Sequence, residues 1–296
     1  MNRLFFIVGP TAVGKSEVAA AVGQRLGAEI ISADAFQIYE GLDRLTAKPD
    51  AATLAKAPHH LIGAVPLGEE MNAEKFRGLA EQIIGRGKPA IVVGGTGLYV
   101  KALTHGLAKL PGANAALRGK LERATNEELL KSLRSLDPEG AETIDRQNRR
   151  RLIRAVEVCL LTGKSFSSQR VEWTQALPEN GVLLSRDRAE LYARIDRRVE
   201  EMFAAGVVEE VRGVKTLGPT AGKALGLREI RALLAGQISE AECIARIQQA
   251  TRRYAKRQLT WFQRQTNFLP LNLSTHRTPE ALELISQSAS RVLTLG

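Results

Sequence analysis

Apolar positions along this chain follow two spacings. Leu4–Val8 is an unbroken apolar run, and after it Val18, Ala19, Val22 and Leu26 share one face of a 3.6-residue period. A buried strand followed by a helix is expected. A second short strand is expected at Glu29–Ser32, then an irregular stretch over 35–66 in which 61–65 reads as a strand. Ala73–Ile84 reads as a helix closed by Gly85 and Gly87, and the apolar run 90–93 as a buried parallel strand with a helix starting at Leu98. From Pro111 to Leu177 no strand pattern occurs; helical periods fall at 115–124, 127–136 and 149–161, with Gly163 and Pro178 as punctuation. A strand at Gly181–Ser185 then returns the chain to the sheet. Helices follow at 188–205, 207–214, 225–234 and 239–265, a strand at 268–273 and a closing helix at 279–292. Leu191, Ile195, Val199, Met202 and Phe203 form the apolar side of the first of these, and Ser239, with Glu242 three positions on, caps the long one. Alternating strands and helices give an α/β fold with a parallel sheet. The expected division is a core of 1–110 and 179–296, interrupted by an all-helical insertion at 111–178.

The join between the first strand and helix carries the chemistry. Gly9-Pro10-Thr11-Ala12-Val13-Gly14-Lys15-Ser16 matches the phosphate-loop pattern G-x-x-x-x-G-K-[ST] in the strand-to-helix context that pattern requires. The core is therefore expected to be P-loop NTPase-like. The helix start offers free N–H groups to an anion, Lys15 adds a charge, and the Ser16 hydroxyl suits a metal ion. This loop calls for a diphosphate or triphosphate, a nucleotide such as ATP included, without saying which. Asp34 closes the second strand at the same sheet edge, where ligands bind in open α/β sheets. Three roles stay open for it: a metal-holding acid, a general base, or the cap of a turn. Gly94-Gly95-Thr96-Gly97 ends another strand, and its N–H groups and the Thr96 hydroxyl could reach the same phosphates. His59-His60 reads as a loop or packing pair, since adjacent side chains diverge on any regular element.

Composition sharpens this. The net charge is +10, and residues 1–110 hold 12 Lys/Arg against 10 Asp/Glu, so the excess lies in the rest of the chain. A basic excess draws polyanions, nucleic acid among them, or serves solubility alone. Arg146 to Arg154 contains five arginines in nine residues. Glu157, three past Arg154, allows a salt-bridged face there, but a single acid leaves most of these cations for phosphate contact. Arg252-Arg253-Tyr254-Ala255-Lys256-Arg257-Gln258 is a second basic stretch, followed by Trp261 and Phe262. An aromatic share of 5% argues against a large base-stacking platform. No apolar run reaches the ~20 residues of a membrane span, and Met1-Asn2-Arg3 leads into a strand rather than a signal peptide. Cys159 and Cys243 lie far apart and suit a reducing cytoplasm.

The chain resembles the tRNA dimethylallyltransferases, or tRNA isopentenyltransferases, of bacterial type. The resemblance rests on residues 9–16, Ile31-Ser32-Ala33-Asp34, Gln37-Ile38-Tyr39, Thr46-Ala47-Lys48-Pro49 and Pro58-His59-His60-Leu61. It continues through Gly94-Gly95-Thr96-Gly97-Leu98-Tyr99, Arg150-Arg151-Leu152-Ile153-Arg154-Ala155-Val156-Glu157 and Ala255-Lys256-Arg257-Gln258-Leu259-Thr260-Trp261, in the family's order.

The resemblance implies transfer of a dimethylallyl group from dimethylallyl diphosphate to N6 of the adenosine 3′ of the anticodon, in tRNAs reading codons that begin with U. Gly9 to Ser16 would then hold the prenyl diphosphate with Mg²⁺ at Ser16. Asp34, Thr11 and Arg198 would be catalytic. Asp34, Ala35, Phe36, Gln37, Thr96, Arg118, Arg150, Arg151, Leu152, Ile153, Arg154, Lys223 and Arg228 match tRNA-contacting positions, with the insertion gripping tRNA. A cytoplasmic monomer is implied. Ala35 stands where the family has Ser, Leu45 where it has Gly and Leu227 where it has Tyr, while Asp145-Arg146-Gln147-Asn148 replaces a His-Pro-Asn-Asp run. Two other classes fit less well. A phosphate-loop kinase leaves the basic excess unexplained, and a non-enzymatic RNA-binding module leaves Lys15 and Asp34 idle.

Overall fold

The structure is a computed structural model and describes residues 4–169 and 177–294. The expected leaderless start at 1–3 and the last part of the strand-free stretch, 170–176, lie outside the described residues. The chain divides into two compact units, one of Met1–Thr104 with Ala176–Gly296 and the other of His105–Gln175, a few residues ahead of the 111–178 expected.

The first unit is built on six strands: β1 (Leu4–Val8), β2 (Glu29–Ser32), β3 (His59–His60), β4 (Ala90–Gly94), β5 (Gly181–Ser185) and β6 (Leu269–Asn272). They run parallel in the order β3-β2-β4-β1-β5-β6. β1, β2 and β4 are buried along their whole length, which is why β1 and β4 read as continuous apolar runs rather than alternations. The first-unit helices before the insertion are α1 (Lys15–Leu26), α2 (Ala51–Leu54), α3 (Ala73–Ile84) and α4 (Gly97–Thr104). The second unit holds α5 (Ala115–Leu121), α6 (Asn126–Leu136), α7 (Pro138–Thr143) and α8 (Arg149–Thr162). Back in the first unit come α9 (Arg188–Ala204), α10 (Val207–Arg212), α11 (Leu227–Leu234), α12 (Glu240–Gln265) and α13 (Thr278–Thr294). Phe5 and Ile7 face one side of the sheet, packing with Val18 and Val22 of α1 and Ile285 and Ala289 of α13. Phe6 faces the other side and stacks on Phe268 at 5.5 Å. A further core gathers α9 to α12 through Val199, Val211, Ile230 and Ile247, and takes in Leu42 and Leu45 from the loop after β2. Glu210 anchors that loop by accepting from the N–H groups of Arg44 and Leu45, each at 2.9 Å.

Two expectations are corrected. The strand expected at 61–65 is absent: Leu61 takes φ +61°, which breaks the extended backbone, and only an isolated bridge joins Val65 to Tyr39. The strand is instead the histidine pair, edge-paired to Ile30 and Ile31, with His60 Nε2 2.8 Å from Glu29. α2 and α7 carried no readable period, being too short for one. Each is fixed by an aspartate cap: Asp50 accepts from Thr53 N–H at 2.7 Å and Asp137 from Gly140 N–H at 2.9 Å.

The second unit's core is Leu129, Leu133, Ile144, Leu152, Val156 and their neighbours. Glu157 is fully enclosed there. No helix among the described residues is long and apolar enough to cross a membrane.

Candidate active site

The loop between β1 and α1 is shaped by what surrounds it. A Cβ on Gly9 would lie 2.4 Å from the Leu184 carbonyl of β5, so only glycine lets the strands approach. Gly14 takes φ 103° to start α1, while Ala12 holds φ 63° without being glycine, a strained position for an L side chain. Cations hold the loop's carbonyls: Lys15 Nζ donates to Pro10 O at 2.7 Å, Arg194 Nε to Ala12 O at 2.9 Å and Arg186 Nε to Val13 O at 3.0 Å. With its carbonyls so engaged, the loop leaves the first-turn N–H groups of α1 for an anion. Thr11 sits at the bend: Arg198 donates to its hydroxyl oxygen at 3.1 Å, and its own N–H donates to Gln258 Oε1 at 2.9 Å.

Asp34 lies across from this loop. Its Oδ1 accepts from Phe36 N–H at 2.9 Å and Gln37 N–H at 3.1 Å, so it does cap a turn. Its other oxygen has no hydrogen-bond partner among the described residues, and Asp34 lines the same cleft as Lys15 and Arg198. The cap therefore orients the acid and leaves its second oxygen uncommitted. Loss of water around its ammonium pushes Lys15 down to about 8, with Asp34 pulling it back up and Arg198 pushing it further down. Burial likewise lowers Arg198, against the pull of Asp34.

The cleft has a volume of about 460 Å³ and is lined by Thr11, Lys15, Ser16, Asp34, Arg194 and Arg198 among others. Beside it lies an apolar pouch of about 80 Å³ bounded by Phe36, Leu45, Met202, Leu225 and Tyr254, and shared with Thr11, Asp34 and Arg198. Among the described residues no group of three or more His, Cys, Asp or Glu is placed to hold a metal ion. The Ser16 hydroxyl lines the same cleft and suits a magnesium ion that takes its remaining ligands from phosphate and water.

The turn after β4 packs against α12. A Cβ on Gly95 would meet Gln258 Nε2 at 2.1 Å, and one on Gly97 would meet the Trp261 ring at 2.4 Å, so these glycines admit α12, while Gly94 lines the cleft. The Thr96 hydroxyl accepts from Ala35 N–H at 3.0 Å and braces the Asp34 turn. The Gln37 amide donates to Thr46 O and Ala47 O at 3.2 and 3.0 Å.

In the helical unit the arginine run is divided. Glu157 accepts from Arg118 at 3.1 Å, from Arg154 at 2.8 Å and from Asn114 N–H at 2.9 Å. Arg149 donates to Asn126, Glu122 O and Ala124 O. Leu152 and Ile153 are buried in the unit's core, so their side chains are not on its surface. Arg150 and Arg151 are exposed and have no ion pair among the described residues. In the first unit Lys223 is exposed on a turn before α11, and Arg228 is exposed and paired with Glu229 at 2.8 Å. Sequence reasoning missed Arg186, Arg194 and the role of Gln258. The signal for Gln258 is a polar residue within the apolar row of Ala255 and Phe262.

The IPP transferase family model matches residues 37–265, and the isopentenyl transferase model residues 2–64. A tRNA dimethylallyltransferase of Akkermansia muciniphila is 42% identical over 94% of this chain and 96% of its own. Another, from Citrifermentans bemidjiense, is 44% identical over 88% and 89%. A tRNA isopentenylpyrophosphate transferase structure from Bacillus halodurans superposes with TM-score 0.73 at 33% identity, covering 100% of this chain and 98% of that one. The structure of a eukaryotic dimethylallyltransferase acting on tRNA shares the fold with TM-score 0.80 at 24% identity, over 98% of this chain and 80% of that one.

Proposed function

The chain belongs to the IPP transferase family of tRNA dimethylallyltransferases, and from that membership we propose how this site works. The reaction moves a dimethylallyl group from dimethylallyl diphosphate to N6 of the adenosine 3′ of the anticodon, in tRNAs reading codons that begin with U. The carrying observation is the convergence of Thr11, Asp34 and Arg198 where the cation-lined cleft meets the apolar pouch. The diphosphate lies on the loop Gly9 to Ser16 beside Lys15. The five-carbon group enters the pouch against Phe36, Leu45 and Met202. The adenosine, extruded from its stacked loop, presents N6 to the free oxygen of Asp34. As the N6–C bond forms, the C–O bond to diphosphate breaks, the bonding pair leaves with the diphosphate, and the N6 proton passes to Asp34. Arg198, held on the Thr11 hydroxyl, and Lys15 stabilise the charge developing on the departing oxygens. The Ser16 hydroxyl would hold a magnesium ion, which would supply further charge neutralisation there. The exposed Arg150 and Arg151 of the helical unit contact tRNA phosphates, whereas Arg118 and Arg154 act through Glu157 by shaping that unit. A tRNA substrate sets the reaction in the cytoplasm, and a single chain holds every residue invoked, so a monomer suffices.

The test is incubation with labelled dimethylallyl diphosphate, Mg²⁺ and unmodified tRNA, followed by nucleoside analysis. Prenylated adenosine and free diphosphate are expected. ADP release with a small acceptor and no need for RNA would overturn the proposal.

A further inference from the structure

Gln258 is 5% exposed on the inner face of α12. Its amide is satisfied at both ends: Oε1 accepts from Thr11 N–H at 2.9 Å and Nε2 donates to Gly95 O at 2.9 Å. The sheet ladder between β1 and β4 ends at Val8 and Gly94, and beyond it this amide ties the two strand ends together. The fit is close, because Gly95 has no room for a Cβ beneath the amide and Gly97 none beneath Trp261, one helical turn on. Tyr254, one turn earlier, brings its hydroxyl to Thr96 and Gln258. Thr96 in turn accepts from Ala35 N–H, and Ala35 follows Asp34. A continuous set of contacts thus runs from Arg198 and Thr11 through Gln258 to Gly95, Thr96 and the Asp34 turn.

We propose that Gln258 is a positioning residue for prenyl transfer, setting the separation between Thr11 on the diphosphate side and Asp34 on the acceptor side. Gln258 borders the cleft, but its amide is committed at both ends to the protein's own backbone. Its double bond pattern needs one acceptor and one donor on a short planar group, which among the uncharged side chains only Gln supplies at this length. The role rests on the reaction proposed above. Misplacement of reacting groups by an ångström costs about 10²-fold in rate, so the effect belongs in kcat.

Two variants test it. Gln258→Met keeps length and apolar contact and removes both hydrogen bonds. It is expected to bind inorganic diphosphate and to keep the donor KM within about threefold of wild type, while kcat falls about 10²-fold. Gln258→Glu carries its own switch. Protonated, the acid offers a carbonyl to Thr11 N–H and an O–H to Gly95 O; ionised, it turns an acceptor toward that carbonyl. The ratio of its kcat to that of wild type is therefore highest at low pH and falls as pH rises, and thermal melts in the same buffers record the folded fraction. The proposal is overturned if Gln258→Met keeps kcat within about threefold, if its loss follows the folded fraction, or if the Gln258→Glu ratio is flat with pH. Wild-type protein that transfers no prenyl group would overturn the reaction itself, and this role with it.

Discussion

At the residue scale, the proposed reaction asks one carboxylate, Asp34, to serve two ends. One oxygen is committed to Phe36 and Gln37 N–H, which fixes the direction of the other. Asp34→Asn keeps a capping oxygen but not a base, so kcat is expected to fall about 10²- to 10⁴-fold with donor affinity nearly unchanged, measured by single-turnover transfer. Lys15 sets the pH response. Its proton is held more weakly in the free protein, with a pKa of about 8, than beside a bound diphosphate. Binding therefore takes up a proton above pH 8 and weakens as pH rises further, and titration calorimetry on wild type against Lys15→Met isolates this dependence. The same depression means that the unfolded chain binds more protons than the folded one between about pH 8 and the ordinary lysine value of 10.5. Lys15's contribution to stability accordingly rises with pH across that window and is lost as pH falls through it. The loop motif and Asp34 were legible because fixed spacing and strand ends declare them. Arg186 and Arg194 were not, because they act on loop carbonyls 173 and 182 positions away, and no local pattern records such a contact.

Elements with a long period were read closely: α3, β5 and the start of α12 fall where apolar spacing and caps place them. The failure at 61–65 has a physical cause: the apolar residues suggest a strand, but a left-handed Leu61 ends the chain's extension. The packing at Gly95 and Gly97 is not legible, because glycine-rich strand ends look alike whether they face phosphate or a packed helix. Here α12 fills the space, so Gly97→Ala is expected to drive a methyl into Trp261 and cost about 1–3 kcal/mol, seen as a lowered Tm and reduced transfer. Ser239→Ala provides the contrast. It removes the cap on Glu242 N–H at 3.2 Å and costs about 1 kcal/mol with no change in kcat, since the other end of α12 meets the site.

On the scale of the whole molecule, the proposed function gives the two units separable duties. Glu157 is the hinge of this expectation. Burial opposes its charge, but Arg154, Asn114 N–H and Arg118 together hold its pKa below the usual carboxylate value. Its stabilising contribution is therefore present at neutral pH and lost on acidification through that depressed value. Glu157→Ala strips the partner from Arg118 and Arg154 and is expected to cost the helical unit about 3–5 kcal/mol. Hydrogen exchange should then rise across α5 to α8 and tRNA binding should fall, while inorganic diphosphate still binds the first unit. The chain order βα, helices, then βα again was legible as an interruption, because a stretch without strand period is conspicuous between apolar runs.

That interruption has a consequence for synthesis. β1 lies at the centre of the sheet, yet its neighbour β5 and the strand beyond it, β6, follow the helical unit in the chain. A growing polypeptide thus carries a half-sheet with one flank of β1 open until residue 185 has emerged from the ribosome. Such an open, apolar edge is prone to pairing with other chains. A helical unit of local contacts is expected to fold fast and keep the intervening segment compact during the wait, and chains stalled before β5 are the ones expected to require a chaperone.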